Sequence, residues 1–204
     1  MLIIKQKHNA LKIENLTFRR NHHLFLPYYH SLKKINNNLD NTKISLGAEK
    51  SFINLIAITN PLCKSCKESH KVYTRLLQKY PNEIQISFLF LVPHKDRKIT
   101  KTKISERLLQ IYHEKGEQLF KKTLNDWFTN LNSKNWLKNW GESTDIKYNT
   151  FLKEQVKWCL ENEITNTPTL IINEKIFPDN YQIKDVENFI EPILEFEKNK
   201  NIHA

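Results

Sequence analysis

The sequence predicts an α/β fold built around two buried strands with a helix between them. Residues 52–59 form a continuous run of apolar and β-branched side chains, which is typical of a buried central strand. Residues 84–92 form a second run of the same kind. Between them, residues 63–80 place apolar side chains at helical spacing until Pro81 and Asn82 end the pattern. Strand, helix and strand in this order favour a parallel pair joined by a right-handed crossover.

The rest of the chain is predicted to be mostly helical. Residues 1–45 form a polar lead-in with one helix, and Pro27 belongs in the first turn of that helix. The main domain is expected over residues 46–204, with a helical insertion over about residues 93–146. We expect the core of this insertion to contain the four tryptophans, Trp127, Trp136, Trp140 and Trp158. The remaining predicted elements are a helix over 148–163, a strand over 169–172, a turn at Asn173 and Glu174, a return strand over 175–177, and a helix over 183–196 bent by Pro192.

Composition limits the classes of protein to which the chain can belong. It is 39% hydrophobic, which is enough for a core. No stretch approaches the roughly 20 apolar residues of a membrane span. The net charge is +10, but basic and acidic residues are interleaved, so we expect no nucleic-acid binding, and weak attraction to an anionic membrane stays open. Residues 1–11 hold an apolar patch too short for a signal peptide, so no export signal is expected in this chain.

Two short motifs carry the chemistry. Cys63 and Cys66 follow the first predicted strand and open the helix after it. Two cysteines separated by two residues between a strand and a helix are typical of a redox pair. Much later in the chain, Thr167 and Pro168 open another predicted strand. The third cysteine, Cys159, is expected to be a small buried residue of its own helix.

In this order the motifs resemble the DsbA-like proteins of the thioredoxin superfamily. More narrowly, they resemble the thioredoxin domain found fused to, or beside, bacterial vitamin K epoxide reductase homologues. The resemblance covers roughly residues 46–196. Its matching segments are Thr59 to Cys63 with Cys66 and His70, Trp158 with Cys159, Ile164 to Asn173, and Pro178, Tyr181 and Asp185. It implies a thioredoxin-like fold in which the insertion lies between the second strand and a strand pair that begins at a cis-proline, Pro168.

The sequence departs from this family at two positions. Many relatives carry a buried acid six residues before the first cysteine, and here that position is Ala57, which cannot relay protons to the second thiol. The Asn-Gly turn that is usual between the last two strands is Asn173 and Glu174. Glu174 would need a positive φ, at a cost of about 1 kcal/mol, unless the turn is of another type.

The position of the cysteines at a helix start predicts their roles. A helix N-terminus carries about half a positive charge. Such sites lower the pKa of a cysteine from about 8.5 to roughly 3.5–7.5. Cys63 is therefore predicted to be the partly exposed attacking thiolate, and Cys66, one turn inside, the buried resolving thiol. The resemblance implies that Thr167 and Pro168 flank the disulfide through a cis bond, and that the backbone of Thr167 pairs with a substrate strand.

Three further residues are candidates for tuning the pair. Lys64 and Ser65 lie between the cysteines, and Lys64 either adds positive charge beside Cys63 or is a solvated surface lysine. His70 shares a helix face with Cys66. It either tunes the thiols and moves a proton near neutral pH, or is a half-buried histidine bonded to backbone. The alternative interpretation of the pair is a zinc half-site, but zinc takes four ligands and no second Cys-x-x-Cys exists, so we expect no metal.

The main hypothesis is an enzyme, a thiol–disulfide oxidoreductase. It would exchange a Cys63–Cys66 disulfide with the cysteine thiols of protein substrates during oxidative protein folding. The resemblance implies a membrane quinone-coupled oxidase of the vitamin K epoxide reductase type as redox partner, and an extracytoplasmic location, either periplasmic or membrane-associated. We expect no cofactor, no nucleic-acid partner and a monomeric chain. Two alternatives stay open, a non-catalytic thioredoxin-like binding or chaperone module and a cytoplasmic disulfide reductase.

Overall fold

The fold is centred on one mixed β-sheet. The computed structural model describes residue 17 and residues 20–38 and 42–202. Within this part of the chain, five strands pair in the order β1-β3-β2-β4-β5. They are β1 (Ile44–Gly47), β2 (Ile53–Thr59), β3 (Ile84–Phe90), β4 (Thr169–Ile172) and β5 (Lys175–Ile176). The predicted parallel pairing of β2 with β3 and the antiparallel return of β5 along β4 are both confirmed.

Helices flank the sheet and form the insertion. The described helices are α1 (His22–Ser31), α2 (Lys64–Lys79), α3 (Thr100–Lys115), α4 (Glu117–Asn130), α5 (Ser133–Trp140), α6 (Lys147–Glu161), a 3₁₀ helix (Ile183–Asn188) and α7 (Ile190–Ile202). The crossover from β2 to β3 is α2, and α3 to α5 follow β3 as the predicted insertion. None of the described helices has the length and apolar character needed to cross a lipid bilayer.

Side chains alternate along β2 and divide the core between the two faces of the sheet. Leu55 and Ala57 belong to the larger cluster, which also holds the inner sides of α2 to α5, whereas Ile56 and Ile58 belong to the smaller one. Because both faces are covered, β2 is apolar along almost its whole length, as its sequence indicates.

The four tryptophans do not share one environment. Trp127 and Trp136 are buried inside the insertion, and Trp140 packs partly against the same cluster. The prediction for Trp158 was wrong, because Trp158 lies in α6 and is buried in the smaller cluster beside Cys159. Helical spacing places a side chain on the inner side of its own helix but does not reveal which face of the sheet that helix covers.

The lead-in is part of the same core as the main domain. Phe25 in α1 is fully buried, and its ring stacks on Phe189 with 3.8 Å between centroids. The hydroxyl of Tyr29 donates a hydrogen bond to the carbonyl of Ile172 in β4 (2.9 Å).

Strand β1 was not predicted, and its residues 44–47 span the predicted boundary between residues 45 and 46. Four residues are too short a run for alternation to identify a strand. Residues 1–11 lie outside the described residues.

Two prolines lie elsewhere in their helices than predicted. Pro27 is inside α1 rather than in its first turn, because Asn21 caps that helix by accepting a hydrogen bond from the N–H of His23. Pro192 lies in the first turn of α7, where a missing N–H costs no helical hydrogen bond. The predicted C-terminal helix is instead interrupted at Phe189, between the 3₁₀ helix and α7.

The turn between β4 and β5 has both central residues in the left-handed region. The φ angle is 43° at Asn173 and 69° at Glu174. A two-residue hairpin turn of this kind requires positive φ at both positions. The positive φ predicted for Glu174 is therefore confirmed, although glutamate is a poor residue for it.

Replacing Glu174 with glycine should raise the free energy of unfolding by about 1 kcal/mol, since glycine adopts this backbone without strain. The substitution also removes the exposed ion pair with Lys34 (2.6 Å), which contributes little because solvent screens it. Urea unfolding of the two proteins measures the difference. The matched control is Glu174→Gln, which loses the charge but keeps the strained φ and should give no gain. A glycine variant no more stable than the glutamine variant would contradict the explanation.

Candidate active site

Cys63 lies where the loop after β2 becomes α2. It is the N-cap residue of that helix, with extended backbone (φ −82°, ψ 117°). The loop bends here because the N–H of Cys63 bonds to the carbonyl of Asn60 (3.0 Å) and the N–H of Cys66 bonds to the carbonyl of Cys63 (3.1 Å). The first turn of α2 carries no acidic residue. The partial positive charge of the helix N-terminus is therefore available to stabilise a thiolate at Cys63.

The two cysteines, both free thiols here, differ in exposure and in acidity. Cys63 is half-buried, whereas Cys66 is only 1% exposed. Burial raises the pKa of Cys63, but hydrogen bonds from the Cys66 thiol, the backbone N–H groups of Cys66 and Ser65, and Thr167 outweigh it, and the net pKa is lowered. Burial raises the pKa of Cys66 to about 12, and its hydrogen bond to Cys63 adds to the rise. Cys63 is therefore the thiol that ionises first.

The segment before β4 lies directly beside Cys63. Strand β4 pairs with β2 as far as Thr169 opposite Ile58, which brings the preceding residues to the end of β2 where the cysteine loop begins. The Sγ of Cys63 lies 3.4 Å from the carbonyl oxygen of Thr167. The peptide bond between Thr167 and Pro168 is cis. The structure thus brings both motifs of the sequence into one site.

The residues between the cysteines are both on the surface. Lys64 and Ser65 are exposed. Ser65 contributes to the site through its backbone N–H, which is one of the groups that lower the pKa of Cys63. Lys64 has no ion pair with another described residue. Its charge therefore remains available beside Cys63.

His70 fits neither of the two interpretations that its sequence position suggested. Its ring stacks on Phe128 of α4, with 4.9 Å between centroids. Burial lowers the pKa of His70 to about 4, so the ring is uncharged at neutral pH. Neither ring nitrogen hydrogen bonds to a thiol, to backbone or to any other group of the described residues. Its side chain thus packs between α2 and the insertion.

A contact that the sequence did not reveal links the insertion to the cysteine loop. The indole N–H of Trp127 in α4 donates a hydrogen bond to the carbonyl of Pro61 (2.8 Å), and the indole is completely buried. Within the loop, the side chain of Asn60 donates to the carbonyl of Leu91 (3.2 Å) and accepts from the N–H of Leu62 (3.0 Å). Together these bonds tie the loop to α4 and to the end of β3. Helical periodicity showed Trp127 to be inward but could not show its partner.

Neither of the two buried β2 positions that bear on Cys66 carries a charge. Ala57 is fully buried in β2, at the position where many relatives carry an acid. The hydroxyl of Thr59, also buried, hydrogen bonds to Cys66 and partly offsets the rise in its pKa. Among the residues that the structure describes, no group of three or more His, Cys, Asp or Glu side chains is arranged to hold a metal ion.

Comparison with known proteins assigns the family. A family model described as Thioredoxin matches residues 39–192, which is most of the chain. The chain belongs to the thioredoxin family. The match begins before β1 and ends in the first turn of α7, so it includes every strand of the sheet and the whole insertion. No curated protein matches this thioredoxin-family chain.

Solved structures show the same fold. A periplasmic thioredoxin-like protein from Salmonella enterica serovar Typhimurium is 17% identical, with a TM-score of 0.64 over 80% of this chain and 99% of that one. The catalytic domain of Proteus mirabilis ScsC is 17% identical, with a TM-score of 0.65 over 78% and 92%. BdbD from Bacillus subtilis in its oxidised form is 12% identical, with a TM-score of 0.62 over 80% and 97%. The thioredoxin-like fold that the sequence resemblance implies is confirmed.

Proposed function

We propose that this thioredoxin-family protein is a thiol–disulfide oxidoreductase that exchanges a Cys63–Cys66 disulfide with cysteine thiols of other proteins. The observation that supports this most is the inequality of the two thiols. The accessible one has a lowered pKa and lies 3.4 Å from the Thr167 carbonyl, and the buried one has a raised pKa. Family membership supports the same general kind of activity.

The proposed oxidation of a client proceeds in two exchanges. A client thiolate attacks the Sγ of Cys63, the Cys63–Cys66 bond breaks, and Cys66 leaves and takes up a proton because its pKa is high. A second client thiolate then attacks the client sulfur of the mixed disulfide. Cys63 leaves as a thiolate, which its lowered pKa favours. The client loses two electrons and two protons. The protein gains both electrons and the proton on Cys66, and the second proton goes to solvent because Cys63 stays a thiolate.

The acidity of Cys63 favours the oxidising direction. Interactions that stabilise the thiolate stabilise the reduced protein, and a stabilised reduced form makes a stronger oxidant. We propose an extracytoplasmic site of action, which the sequence resemblance supports and which agrees with the periplasmic description of the Salmonella neighbour. A membrane quinone-coupled oxidase of the vitamin K epoxide reductase type would accept the two electrons and restore the disulfide. The support for that partner is the sequence resemblance.

The test of the proposed function mixes the oxidised protein with a reduced, unfolded client that needs disulfides for its activity. Client thiols should disappear as one protein disulfide is consumed per client disulfide formed, measured by thiol titration and mass spectrometry. The control is Cys159→Ala, which should behave as the unmodified protein does. Suppression of client aggregation without any exchange would favour the binding module. Failure to oxidise the client together with reduction of insulin by the dithiol form would favour the reductase.

A further inference from the structure

We propose that the surface beside Cys63 on the β3 side binds an acidic, extended client segment on one side of the client cysteine. This inference rests on the proposed function and names the class of client. The surface consists of a cavity next to Cys63 and a basic strip, defined as Lys64, Lys98 and Lys101.

The cavity provides room for one client side chain next to the reactive sulfur. Its volume is about 310 Å³, and it is lined by Asn60, Leu62, Cys63, Ile99, Thr100 and Lys101. Leu62 is 51% exposed although it precedes the reactive cysteine directly. The cavity is lined in part by Ile99, Thr100 and Lys101, from the segment that follows β3, whereas Thr167 precedes β4, and β3 and β4 pair with opposite edges of β2. A client segment can therefore contact Thr167 and the cavity at the same time, on opposite sides of its cysteine.

The segment that contributes Ile99, Thr100 and Lys101 to the cavity is strongly basic. Residues 93–103 contain Lys95, Arg97, Lys98, Lys101 and Lys103, with Asp96 as the single acid. Arg97 pairs with Glu106, and Lys103 pairs with Glu142. The carboxylate of Asp96 accepts a hydrogen bond from the backbone N–H of Lys98.

The three lysines of the basic strip keep their charge uncompensated. Lys64 and Lys98 are exposed, and Lys101 is half-buried at the edge of the cavity. None of them forms an ion pair with another described residue. Positive charge at Lys101, in the lining that Cys63 shares, and at Lys64, the residue after Cys63, favours acidic client residues near the client cysteine and disfavours basic ones.

The basic segment is held in place rather than left free. The guanidinium of Arg97 makes a two-pronged bond to the carboxylate of Glu106 (2.7–3.1 Å), which is only 2% exposed. Asn149 of α6 donates both to Glu106 and to the carbonyl of His94 (2.9 Å each). The hydroxyl of Thr102 donates to the carbonyl of Pro93. Because the segment is already ordered, little conformational entropy is lost when a client binds it.

The shape of the site favours a peptide over a membrane surface. A concave cavity that shares its wall with the reactive sulfur fits a side chain close to another sulfur, which a client polypeptide supplies and a flat lipid surface does not. The mixture of Leu62 and Ile99 with Lys101 fits an apolar side chain followed by aspartate or glutamate.

The test uses the reduced Cys66→Ser variant and three peptides that differ only in the residues flanking a single cysteine, which are aspartate, serine or lysine. Each cysteine is supplied as a mixed disulfide with thionitrobenzoate. The Cys63 thiolate attacks the peptide sulfur, the existing S–S bond breaks, and coloured thionitrobenzoate leaves, so absorbance gives the rate. At low salt the aspartate peptide should react roughly tenfold or more faster than the lysine peptide, and the ratio should fall as salt is added.

Charge reversal locates the effect. In the Cys66→Ser background, the double change Lys98→Glu and Lys101→Glu should bring the ratio of the two rates close to one or reverse it. The control is Lys50→Glu, a single charge reversal at an exposed lysine before β2, at the opposite end of that strand from Cys63. It should leave the ratio unchanged. The ratio is the readout because an altered acidity of Cys63 changes the rates of all three peptides together.

Three results would overturn the inference. One is equal rates for the three peptides, and another is a ratio that the double variant leaves intact. The third is inhibition of all three reactions by anionic phosphatidylserine vesicles with no difference between peptides, which would assign the strip to a membrane surface. Failure of Cys63 to react with any peptide is distinguishable from these, because it would reject the proposed exchange activity itself.

Discussion

Replacing Cys66 with serine should turn the protein into a trap for its clients, whereas replacing Cys63 with serine should abolish exchange completely. Without Cys66 nothing resolves the mixed disulfide from the protein side, so a client disulfide attacked by the Cys63 thiolate stays covalently attached. Without Cys63 the remaining thiol of the pair is buried, and because burial raises its pKa, almost no thiolate forms at neutral pH. Non-reducing electrophoresis after incubation with a disulfide-bonded client shows both outcomes.

The third cysteine supplies the control for this experiment. Cys159 is fully buried in the smaller cluster, and burial raises its pKa to about 12. Cys159→Ala should therefore leave both trapping and exchange unchanged. Adducts that form in the Cys63→Ser variant, or that disappear when Cys159 is replaced, would show that the attacking thiol has been assigned to the wrong residue.

Removal of the Trp127 side chain should lower the free energy of unfolding more than any other substitution considered for this protein. Trp127→Ala removes a completely buried indole, and truncations of this kind cost about 3–5 kcal/mol of the free energy of unfolding. Trp127→Phe keeps most of the volume but leaves the buried carbonyl of Pro61 without its donor, at a cost of roughly 1–3 kcal/mol. Denaturant unfolding of the reduced proteins measures both values.

The phenylalanine variant also tests whether the indole positions the cysteine loop. Because the lost hydrogen bond holds Pro61, two residues before Cys63, the rate of Cys63 with a small disulfide should change in Trp127→Phe. Trp140→Phe is the matched control. It also loses an indole hydrogen bond, to Asp126 (2.7 Å), but that bond does not involve the loop, so the rate should stay the same. If Cys63 reacts at the same rate in Trp127→Phe as in Trp140→Phe, the Trp127 indole contributes only packing and does not position the cysteine loop.

The sequence predicted the parts of the fold that depend on local pattern. Strands β2 and β3 and helix α2 are long enough for their apolar runs and helical spacing to be recognised. The Cys-x-x-Cys spacing between a strand and a helix identified Cys63 and Cys66 as a pair. Strand β1 was missed because four residues carry too little pattern, and its stability comes from pairing with β3. The predicted boundary between residues 45 and 46 falls inside this strand.

Contacts between distant segments were the part that sequence could not supply. The stacking of His70 on Phe128 and the bond from Trp127 to Pro61 both depend on how the insertion packs against α2 and the loop. The basic residues of 93–103 were visible, but they were interpreted as part of a scattered charge. Only the placement of the start of α3 beside the cysteine loop shows that Lys101 lines the same cavity as Cys63.

The central claim is that Cys63 and Cys66 are chemically unequal, and alkylation of the reduced protein as a function of pH tests it most directly. Only thiolates react, so the rate at each cysteine follows its ionisation, and peptide mapping by mass spectrometry separates the two sites. Cys63 should reach its full rate below the pH expected for a thiol of ordinary pKa, about 8.5, and Cys66 should stay unmodified through neutral pH. Equal modification of both residues, or a Cys63 that titrates at or above the ordinary value, would contradict the account.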